Sequence, residues 1–304
     1  EDTYSSFNND GSEFLGPRRE IVPFTAKWGR CGSVYDANCD GNQDGGSGTS
    51  DLYDQRLTVL ESDLQALPAD AAKYYFEYWY VVREDQNIYN TMGYRQIAPT
   101  KNGSGNWSAN LVNSTAPNHD FYQGPVINYW VDPAAPGANA ANEELATPLG
   151  RARVAMRATD LGGGQWRYHY AVMNLEYAHV DIDPAHPNEP NMKVTANVGF
   201  DRFAVPLNVA ATDVRFFDAD GNAANDWAVT TTGGEIAWTA PAGASLGWGM
   251  LAQFEFTTSL APVEATVALR GGATATQPAL DYTHLLLGPA APDAPDVIFQ
   301  DDFE

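Results

Sequence analysis

The feature that most constrains the fold is a pair of alternating segments joined by a glycine-rich turn. Residues 151–159 and 166–174 each alternate in side-chain type with a period of two, and residues 160–165, DLGGGQ, lie between them. This period is that of a β-strand, and glycine accepts the positive φ of a tight turn, so the segment predicts a β-hairpin. In the second arm one face carries Trp166, Tyr168, Tyr170 and Val172. A second layer of sheet is the simplest cover for such a face.

Short strands with turn signals between them are predicted along most of the remaining chain. They are expected at residues 74–82, which read as a buried strand, and at 94–98, 126–131, 193–205, 214–217, 227–231, 235–239, 248–257 and 263–269. Regular spacing of this kind is typical of an antiparallel sandwich. We therefore expect a mostly β protein, an antiparallel immunoglobulin-like β-sandwich with one short N-terminal helix and extended terminal arms.

Composition and patterning divide the chain into four predicted regions. An amphipathic helix is predicted at residues 51–67, with leucines on one face and Pro68 after its end. Residues 133–148 are rich in Ala, Pro, Gly and Asn and read as a linker. The predicted organisation is an extended arm over 1–30, a β-rich domain with the helix over 31–148, the sandwich over 149–271, and a Pro/Ala-rich linker with a tail over 272–304.

The charge of the chain restricts its partners. The formal net charge is -22 over 304 residues, from 39 Asp and Glu against 17 Lys and Arg. A chain of this charge repels phosphate backbones and anionic membrane surfaces, so we expect neither nucleic-acid binding nor membrane insertion, whereas divalent cations are suitable partners. No apolar run approaches the roughly 20 residues of a membrane span, and the chain opens on Glu1. We expect a processed protein that is secreted or held at the cell surface.

The two cysteines form the only possible intramolecular pair. In an exported chain Cys31 and Cys39 are expected to form a disulfide, whereas two free thiols would fit only a reducing compartment. Neither a CxxC motif nor the Cys/His spacing of a zinc site is present.

A metal-binding motif overlaps this cysteine pair. Asp36, Asn38 and Asp40 are followed by Gly41, which matches the D-x-[DN]-x-[DN]-G start of an EF-hand loop. The segment thus resembles the calcium loops of EF-hands and dockerins over about a dozen residues. The resemblance implies Ca²⁺ bound by the side chains of Asp36, Asn38 and Asp40, the carbonyl of Asn42, and Asp44 directly or through water. Ser47 stands where those families have a bidentate Glu, and Asp51 is the candidate substitute. The alternative is a solvated acidic turn.

Other polar clusters are weaker candidates. Three N-x-[ST] triplets make Asn102, Asn106 and Asn113 candidate glycosylation sites, although a Ser/Thr/Asn-rich loop produces such triplets by chance. The histidines and aspartates of residues 179–186 favour a solvated loop over a metal cluster, because their spacing fits no known site. The acidic residues between 218 and 226 favour a tight turn over a second cation site.

Several longer segments carry a resemblance to a protein group. WRYHYAVMNL, GFDRFAVPL, ANDWAV, GGEIAWTAPAG and LGWGMLAQFEF are similar to segments of an uncharacterised group of secreted β-sandwich proteins of Gram-negative bacteria. FLGPRREI and the segment from Tyr74 to Ile97 resemble the same group. The C-terminal IFQDDFE resembles an I-F-x-D-G-F-E tail, with Asp302 in place of the Gly. The resemblance implies an exported β-sandwich and leaves the activity open.

Three classes of function remain after this reasoning. An enzyme is not expected and no catalytic residue is assigned, because a GxSxG elbow is absent and both cysteines are expected to be paired; a secreted hydrolase with paired carboxylates is the second alternative. A calcium-stabilised carbohydrate-binding or adhesive module, with glycans as partners, is the first alternative. The leading expectation is a non-enzymatic structural subunit whose copies join into a linear fibre or surface assembly by exchanging the terminal segments 1–24 or 296–304.

Overall fold

The structure, a computed structural model, is built mainly of β-strands in two compact units. It describes residues 18–29, 31–32, 36–42, 61, 64, 73–81, 87–113, 115, 121–189, 191–218 and 222–289. One unit comprises residues 1–130 with 180–197, and the other comprises residues 131–179 with 198–304. The first unit is therefore discontinuous in sequence.

The first unit contains a small hairpin and an antiparallel sheet. Single 3₁₀ turns lie at Arg18–Glu20, Pro23–Thr25 and Ile88–Asn90. The strands are β1 (Ile21–Val22), β2 (Lys27–Trp28), β3 (Tyr74–Trp79), β4 (Met92–Lys101), β5 (Trp107–Leu111) and β6 (Phe121–Gln123), followed by the helix α1 (Ile127–Trp130). Strand β4 is central, because it pairs with β3 on one edge and with β5 and β6 on the other.

The second unit contains two five-stranded sheets. The chain continues through β7 (Ala140–Thr147), β8 (Gly150–Gly162), β9 (Gln165–Asn174), β10 (His179–Ile182), β11 (Val194–Val198), β12 (Phe200–Pro206), β13 (Thr212–Phe217), β14 (Ala228–Thr232), β15 (Glu235–Thr239), β16 (Met250–Thr258), β17 (Pro262–Gly271) and β18 (Leu280–Pro289). One sheet has the order β13-β16-β9-β8-β7 and the other β14-β15-β12-β17-β18. Strands β10 and β11 form a separate pair, and nearly all of their residues belong to the first unit.

The core of the second unit lies between its two sheets. The ring centroids of Tyr170 and Phe203 are 5.4 Å apart, and those of Trp238 and Phe254 are 5.2 Å apart. Each pair joins one sheet to the other, so the sheets pack face to face as a β-sandwich. The buried hydroxyls of Tyr168 and Tyr170 donate to the carbonyls of Leu260 at 2.9 Å and Leu287 at 3.0 Å, which removes the cost of burying them.

The predicted hairpin and its covered aromatic face are confirmed. Strands β8 and β9 pair from Ala152 opposite Asn174 to Gly162 opposite Gln165, so they extend further into the turn than predicted. Tyr168, Tyr170 and Val172 are buried in the core. The mostly β, antiparallel character expected from the alternation is therefore correct.

Four local predictions are wrong. Residues 126–131, predicted as a strand, contain α1, because Pro125 begins a turn in which the Asn128 N–H donates to the Pro125 carbonyl. Residues 140–147 lie in the predicted linker but form β7, paired along β8. Residues 280–289 lie in the predicted linker and tail but form β18, paired along β17. Residues 179–182, predicted as a loop, form β10. In the last three cases pairing with another strand outweighs local composition.

Some predictions fall outside the described residues. These are the arm residues 1–17 and 290–304 and most of the predicted helix 51–67, of which Glu61 and Leu64 are described and are helical. Within the described ranges no helix has both the length and the apolar character needed to cross a bilayer.

Candidate functional site

The most prominent surface of the first unit is a group of exposed aromatic rings on one face of its sheet. Phe76 and Tyr78 alternate along β3 and are 47% and 37% exposed. Opposite them on β4 lie Arg95 and Gly93, and β6 places Phe121 beside Arg95 on the same face. We call Phe76, Tyr78 and Phe121 the aromatic platform.

The rings of the aromatic platform lie close together at modest angles. The ring centroids of Phe76 and Tyr78 are 6.1 Å apart with 30° between the ring planes, and those of Tyr78 and Phe121 are 5.9 Å apart with 37°. Rings this close and this nearly parallel form one continuous, uneven apolar surface. Monomeric proteins seldom leave such a surface exposed without a use.

Gly93 explains how Phe121 joins the platform. A Cβ built on Gly93 would lie 2.1 Å from Cζ and 2.4 Å from Cε2 of the Phe121 ring. The ring therefore covers the backbone of the neighbouring strand, in space that any other residue at position 93 would fill. A glycine in the middle of a strand often marks such a close approach.

Polar groups border the aromatic platform. Gln123 is exposed and pairs with Gly93, so its side chain lies on the same face. Arg95 lies between Phe76 and Phe121, and its Nε and Nη2 are buried without a hydrogen bond to any described residue. The face thus combines apolar rings with donors that lack acceptors, a composition found in many ligand sites.

The opposite face of the same sheet contacts α1 and the segment before it, although Tyr122 and Tyr129 remain 45% and 44% exposed. The rings of Tyr75 and Tyr129 are 4.5 Å apart, and those of Tyr94 and Tyr122 are 5.2 Å apart. Glu77 accepts a hydrogen bond from the Val126 N–H. Burial raises the pKa of Glu77 to about 7, and this hydrogen bond opposes the rise.

The platform was missed in the sequence, where residues 74–82 read as a buried strand. The prediction is wrong for Phe76, Tyr78 and Tyr80, which are all exposed. The period of two was visible in YYFEYWYVV, but both alternating sets are apolar or aromatic apart from Glu77. A strand of this composition does not reveal which face is solvated.

The predicted calcium loop is described from Asp36 to Asn42. Asp36 is fully buried, and its two carboxylate oxygens accept the N–H groups of Asp40 at 3.0 Å and Gly41 at 3.1 Å. Asn38 Oδ1 accepts the Asp40 N–H at 2.9 Å, and Asp40 Oδ1 accepts the Asn42 N–H at 2.7 Å. The Asn42 N–H lowers the pKa of the Asp40 carboxyl. Gly41 has a φ of 83°, as this tight turn requires.

Three further contacts hold the loop in place. Cys31 and Cys39 form the predicted disulfide. The Gly32 N–H donates to the Asp36 carbonyl at 2.7 Å, and Asn191 Nδ2 donates to the Cys39 carbonyl at 2.6 Å. The loop is therefore joined both to its own start and to the segment around residue 191.

The donor atoms of this loop suit a hard cation. Asp36, Asn38 and Asp40 each use a side-chain oxygen to accept a backbone N–H within the loop, and each carboxylate oxygen retains a lone pair beyond its backbone hydrogen bond. Asp44 and Asp51, the other predicted ligands, lie outside the described residues. His186 lies close to the two cysteine sulfurs, but sulfurs joined in a disulfide are not thiolate ligands.

The candidate glycosylation sites lie on exposed turns. Asn102 begins the turn between β4 and β5, and its Oδ1 accepts the N–H groups of Ser104 at 2.9 Å and Asn106 at 3.0 Å. Asn102, Asn106 and Asn113 are all exposed. Their modification stays a prediction.

The fold and these surfaces define a mostly β protein with a sandwich, a disulfide-closed acidic loop and an exposed aromatic platform. No protein-family model matches the chain, and the comparison with curated proteins found no similar sequence.

Proposed function

We propose that this chain is a non-enzymatic extracellular protein that binds neutral glycans through the aromatic platform. The observation that carries the proposal is the exposed set Phe76, Tyr78 and Phe121 on one sheet face. The C–H faces of sugar rings are apolar and stack on aromatic rings, while their hydroxyls need polar partners at the edge. Gln123 supplies such a partner at the edge of the platform.

Calcium at the loop of residues 36–44 is part of this proposal. Asp36, Asn38 and Asp40 would hold the ion with their side-chain oxygens. A bound cation supplies positive charge that offsets these carboxylates and stiffens the loop. The disulfide supports the same segment.

A binding role without catalysis, outside the cell, agrees with the remaining features. Phe76, Phe121 and Gln123 carry no nucleophile or general base, and the neighbouring Arg95 is a donor only. The disulfide and the acidic surface suit an oxidising, exported environment. The resemblance to secreted β-sandwich proteins supports the same location. Within the sandwich class we propose the immunoglobulin-like type, since the chain crosses repeatedly between the two sheets, although the ten strands of the two sheets together exceed the seven or nine of antibody domains.

Affinity electrophoresis in gels containing cellulose derivatives, xylan, glucomannan or soluble chitin tests the proposed binding. We expect retardation by at least one neutral polysaccharide, and a loss of affinity of roughly tenfold or more in Phe76→Ala, Tyr78→Ala and Phe121→Ala, since each removes one stacking surface. Phe24→Ala is the matched control, because Phe24 is 39% exposed and lies outside the platform. Retardation by none of these polymers, or unchanged binding by all three platform variants, contradicts the proposal.

A structural subunit joined by exchange of terminal segments is the second candidate. It is favoured by β14, the end strand of its sheet, in which all five residues are exposed and Val229 is 44% exposed. Such an edge accepts an added strand. Deleting residues 1–20 or 296–304 should leave a folded monomer that no longer polymerises in sedimentation assays. Assembly of both truncated chains at the wild-type concentration excludes strand exchange.

A further inference from the structure

The two cysteines belong to a second cluster of metal-ligating side chains, which His186 completes from a distant segment of the first unit. The sulfurs of Cys31 and Cys39 and one ring nitrogen of His186 all lie within 4.8 Å of one another. Cys31 is buried, whereas Cys39 and His186 are half-buried. His186 lies in the segment between β10 and β11, so only the fold brings it to the cysteines. We call these three residues the thiol–imidazole cluster.

The disulfide and a metal ion would use the same two sulfurs. Sulfurs bonded to each other are poor ligands, but two thiolates and a neutral imidazole are the ligands that Zn²⁺ prefers in proteins. A dithiol reductant supplies the two electrons and two protons that convert the disulfide to two thiols, and becomes a disulfide itself. Zn²⁺ then displaces the two thiol protons. The cluster can therefore hold a metal in the reduced chain alone.

Backbone hydrogen bonds hold both cysteines in place without the sulfur–sulfur bond. The Cys31 N–H donates to the Met192 carbonyl at 3.3 Å, and the Cys39 N–H donates to the Asp36 carbonyl at 3.4 Å. The carbonyl of Cys39 accepts Asn191 Nδ2 at 2.6 Å. None of these contacts uses a sulfur atom. We therefore expect the two thiols to stay side by side after reduction.

The segment that holds the cysteines also positions the imidazole. The His186 N–H donates to the Asp183 carbonyl at 2.9 Å, and the His186 carbonyl accepts the Lys193 N–H at 3.0 Å. Asn191 and Met192, which bond to the cysteine backbones, lie just before Lys193 in the same segment. The three ligands are thus fixed relative to one another before any metal arrives, and such preorganisation favours binding.

The spacing and charge of the cluster suit Zn²⁺. A tetrahedral zinc ion binds sulfur at ~2.3 Å and nitrogen at ~2.0 Å, which separates its ligand atoms by ~3.5–3.8 Å. Small rotations of the side chains bring three atoms that lie within 4.8 Å of one another to this spacing. Two thiolates match the charge of the ion. Asp36 and Asp40 flank Cys39 in the loop, and Lys193 reaches the side of Gly32, so the nearby charges have both signs.

We propose that the reduced chain binds Zn²⁺ through Cys31, Cys39 and His186, with water at the fourth position, and that oxidation releases the ion. On oxidation the two thiolates give up two electrons to a disulfide-bonded oxidant and form the Cys31–Cys39 bond, which leaves only the imidazole as a ligand. The same residues thus close the acidic loop in both redox states, by a metal ion or by a disulfide. The site uses neither the aromatic platform nor the oxygen ligands proposed for calcium.

Cobalt(II) titration of full-length protein, reduced with a phosphine under argon, tests this proposal. Thiolate ligands give Co²⁺ a charge-transfer absorption in the near ultraviolet, and tetrahedral coordination gives strong visible bands. We expect both signals in the reduced wild type and their loss when one equivalent of Zn²⁺ is added. Oxidised wild type is the matched control, because it keeps every carboxylate and imidazole but has no thiolate. It should show neither signal.

His186→Ala separates the proposed site from a pair of thiols alone. It should weaken cobalt binding by roughly tenfold or more, because one of three protein ligands is removed. His169→Ala is its control, because it removes a half-exposed imidazole from the sandwich, and it should bind cobalt as the wild type does. Zn²⁺ should also raise the melting temperature of the reduced wild type at a concentration that leaves the oxidised protein unchanged.

Three results overturn the proposal. The first is a reduced wild type without charge-transfer absorption, and the second is equal affinity of the oxidised and reduced proteins for Zn²⁺, which would assign the ion to carboxylates. The third is a His186→Ala variant that binds cobalt as tightly as the wild type. Circular dichroism monitors the fold throughout, and a reduced chain that unfolds and does not refold with Zn²⁺ also contradicts the site.

Discussion

The ring of Phe121 covers the backbone of Gly93, and a Cβ added to Gly93 would lie 2.1 Å from the ring carbon Cζ. This contact joins β6 to β4 on the face that carries the aromatic platform. A strand glycine is usually a weak point, because it adds chain entropy and packs nothing. Here the absence of a side chain at Gly93 leaves the space that the Phe121 ring occupies.

Replacement of Gly93 tests this relationship. Gly93→Ala should displace the Phe121 ring, lower glycan affinity and destabilise the protein by about 1–3 kcal/mol, the usual cost of overpacking. Gly103→Ala is the control, because a Cβ at Gly103 meets no atom within 4 Å. In a Phe121→Ala background the stability cost of Gly93→Ala should fall, as a double-mutant cycle measures by urea unfolding, but it should not vanish, because the Tyr122 carbonyl oxygen would lie 2.9 Å from the added Cβ. Equal costs in both backgrounds would show that the ring is not the obstacle.

Asp40 is the most informative residue for calcium. Asp40→Asn keeps an oxygen that can accept the Asn42 N–H, which Asp40 Oδ1 accepts at 2.7 Å, but it removes a ligand charge. Calorimetric titration of chelator-stripped protein should show calcium binding in the wild type and a loss of roughly tenfold or more in this variant, since ligand charge sets affinity. Asp132→Asn is the control, because Asp132 makes a similar hydrogen bond to the Ala134 N–H elsewhere. Absence of calcium heat in the wild type excludes the site.

The disulfide should contribute measurable stability. Its two cysteines are 8 residues apart in sequence, and closing so short a loop stabilises the folded state by roughly 2.5 kcal/mol on the chain-entropy estimate. We expect Cys31→Ser/Cys39→Ser to lower the free energy of unfolding by about this amount and to weaken calcium binding. Alkylation of unreduced protein followed by mass spectrometry should find no free thiol. Two alkylated cysteines would falsify the pairing.

Glu77 should make stability depend on pH. Burial raises its pKa from 4.5 to about 7, so between these values the folded state binds more protons than the unfolded state. The free energy of unfolding therefore falls as pH rises from about 4.5 to about 7, by at most about 3 kcal/mol, and this contribution is constant above that range.

Urea unfolding at several pH values isolates the effect of Glu77. Glu77→Gln should remove this part of the pH dependence, because its amide stays neutral and can still accept the Val126 N–H. Exposed Glu264→Gln should unfold with the same pH dependence as the wild type. A wild-type and a Glu77→Gln profile that run parallel from pH 5 to 8 would rule out the role given to this carboxyl.

Sequence patterning predicted the buried face of a strand correctly when one face of that strand is apolar and the other is polar. In β9, Tyr168 and Tyr170 alternate with Arg167 and His169, and the structure confirms the buried face. The same reasoning failed for β3, because both of its faces carry aromatic residues and only tertiary packing leaves Phe76 exposed. No local signal could have predicted that Phe121, on a distant strand, would complete the platform.

Cysteine counting and the D-x-N-x-D-G motif located the acidic loop, because both depend on short-range spacing. The neighbours of Glu255 on the outward face of the sandwich depend on register instead. His169 and Arg215 are far from Glu255 in sequence and lie opposite it only because β9, β16 and β13 pair in a particular alignment. The pairing of all strands in the sheet determines this alignment, so it cannot be predicted from any one segment.

Because the first unit is discontinuous in sequence, its amino-terminal part cannot complete its contacts until a later part of the chain has been synthesised. Trp28 N–H donates to Glu189 Oε1 at 2.8 Å, Asn191 Nδ2 to the Cys39 carbonyl at 2.6 Å, and Asn197 Nδ2 to the Ile21 carbonyl at 2.9 Å. A nascent chain does not have all three partners until residue 197 has been synthesised. The amino-terminal segment therefore cannot form these contacts before the middle of the protein has been synthesised. A gene fragment that stops at residue 130 encodes the first unit without its residues 180–197.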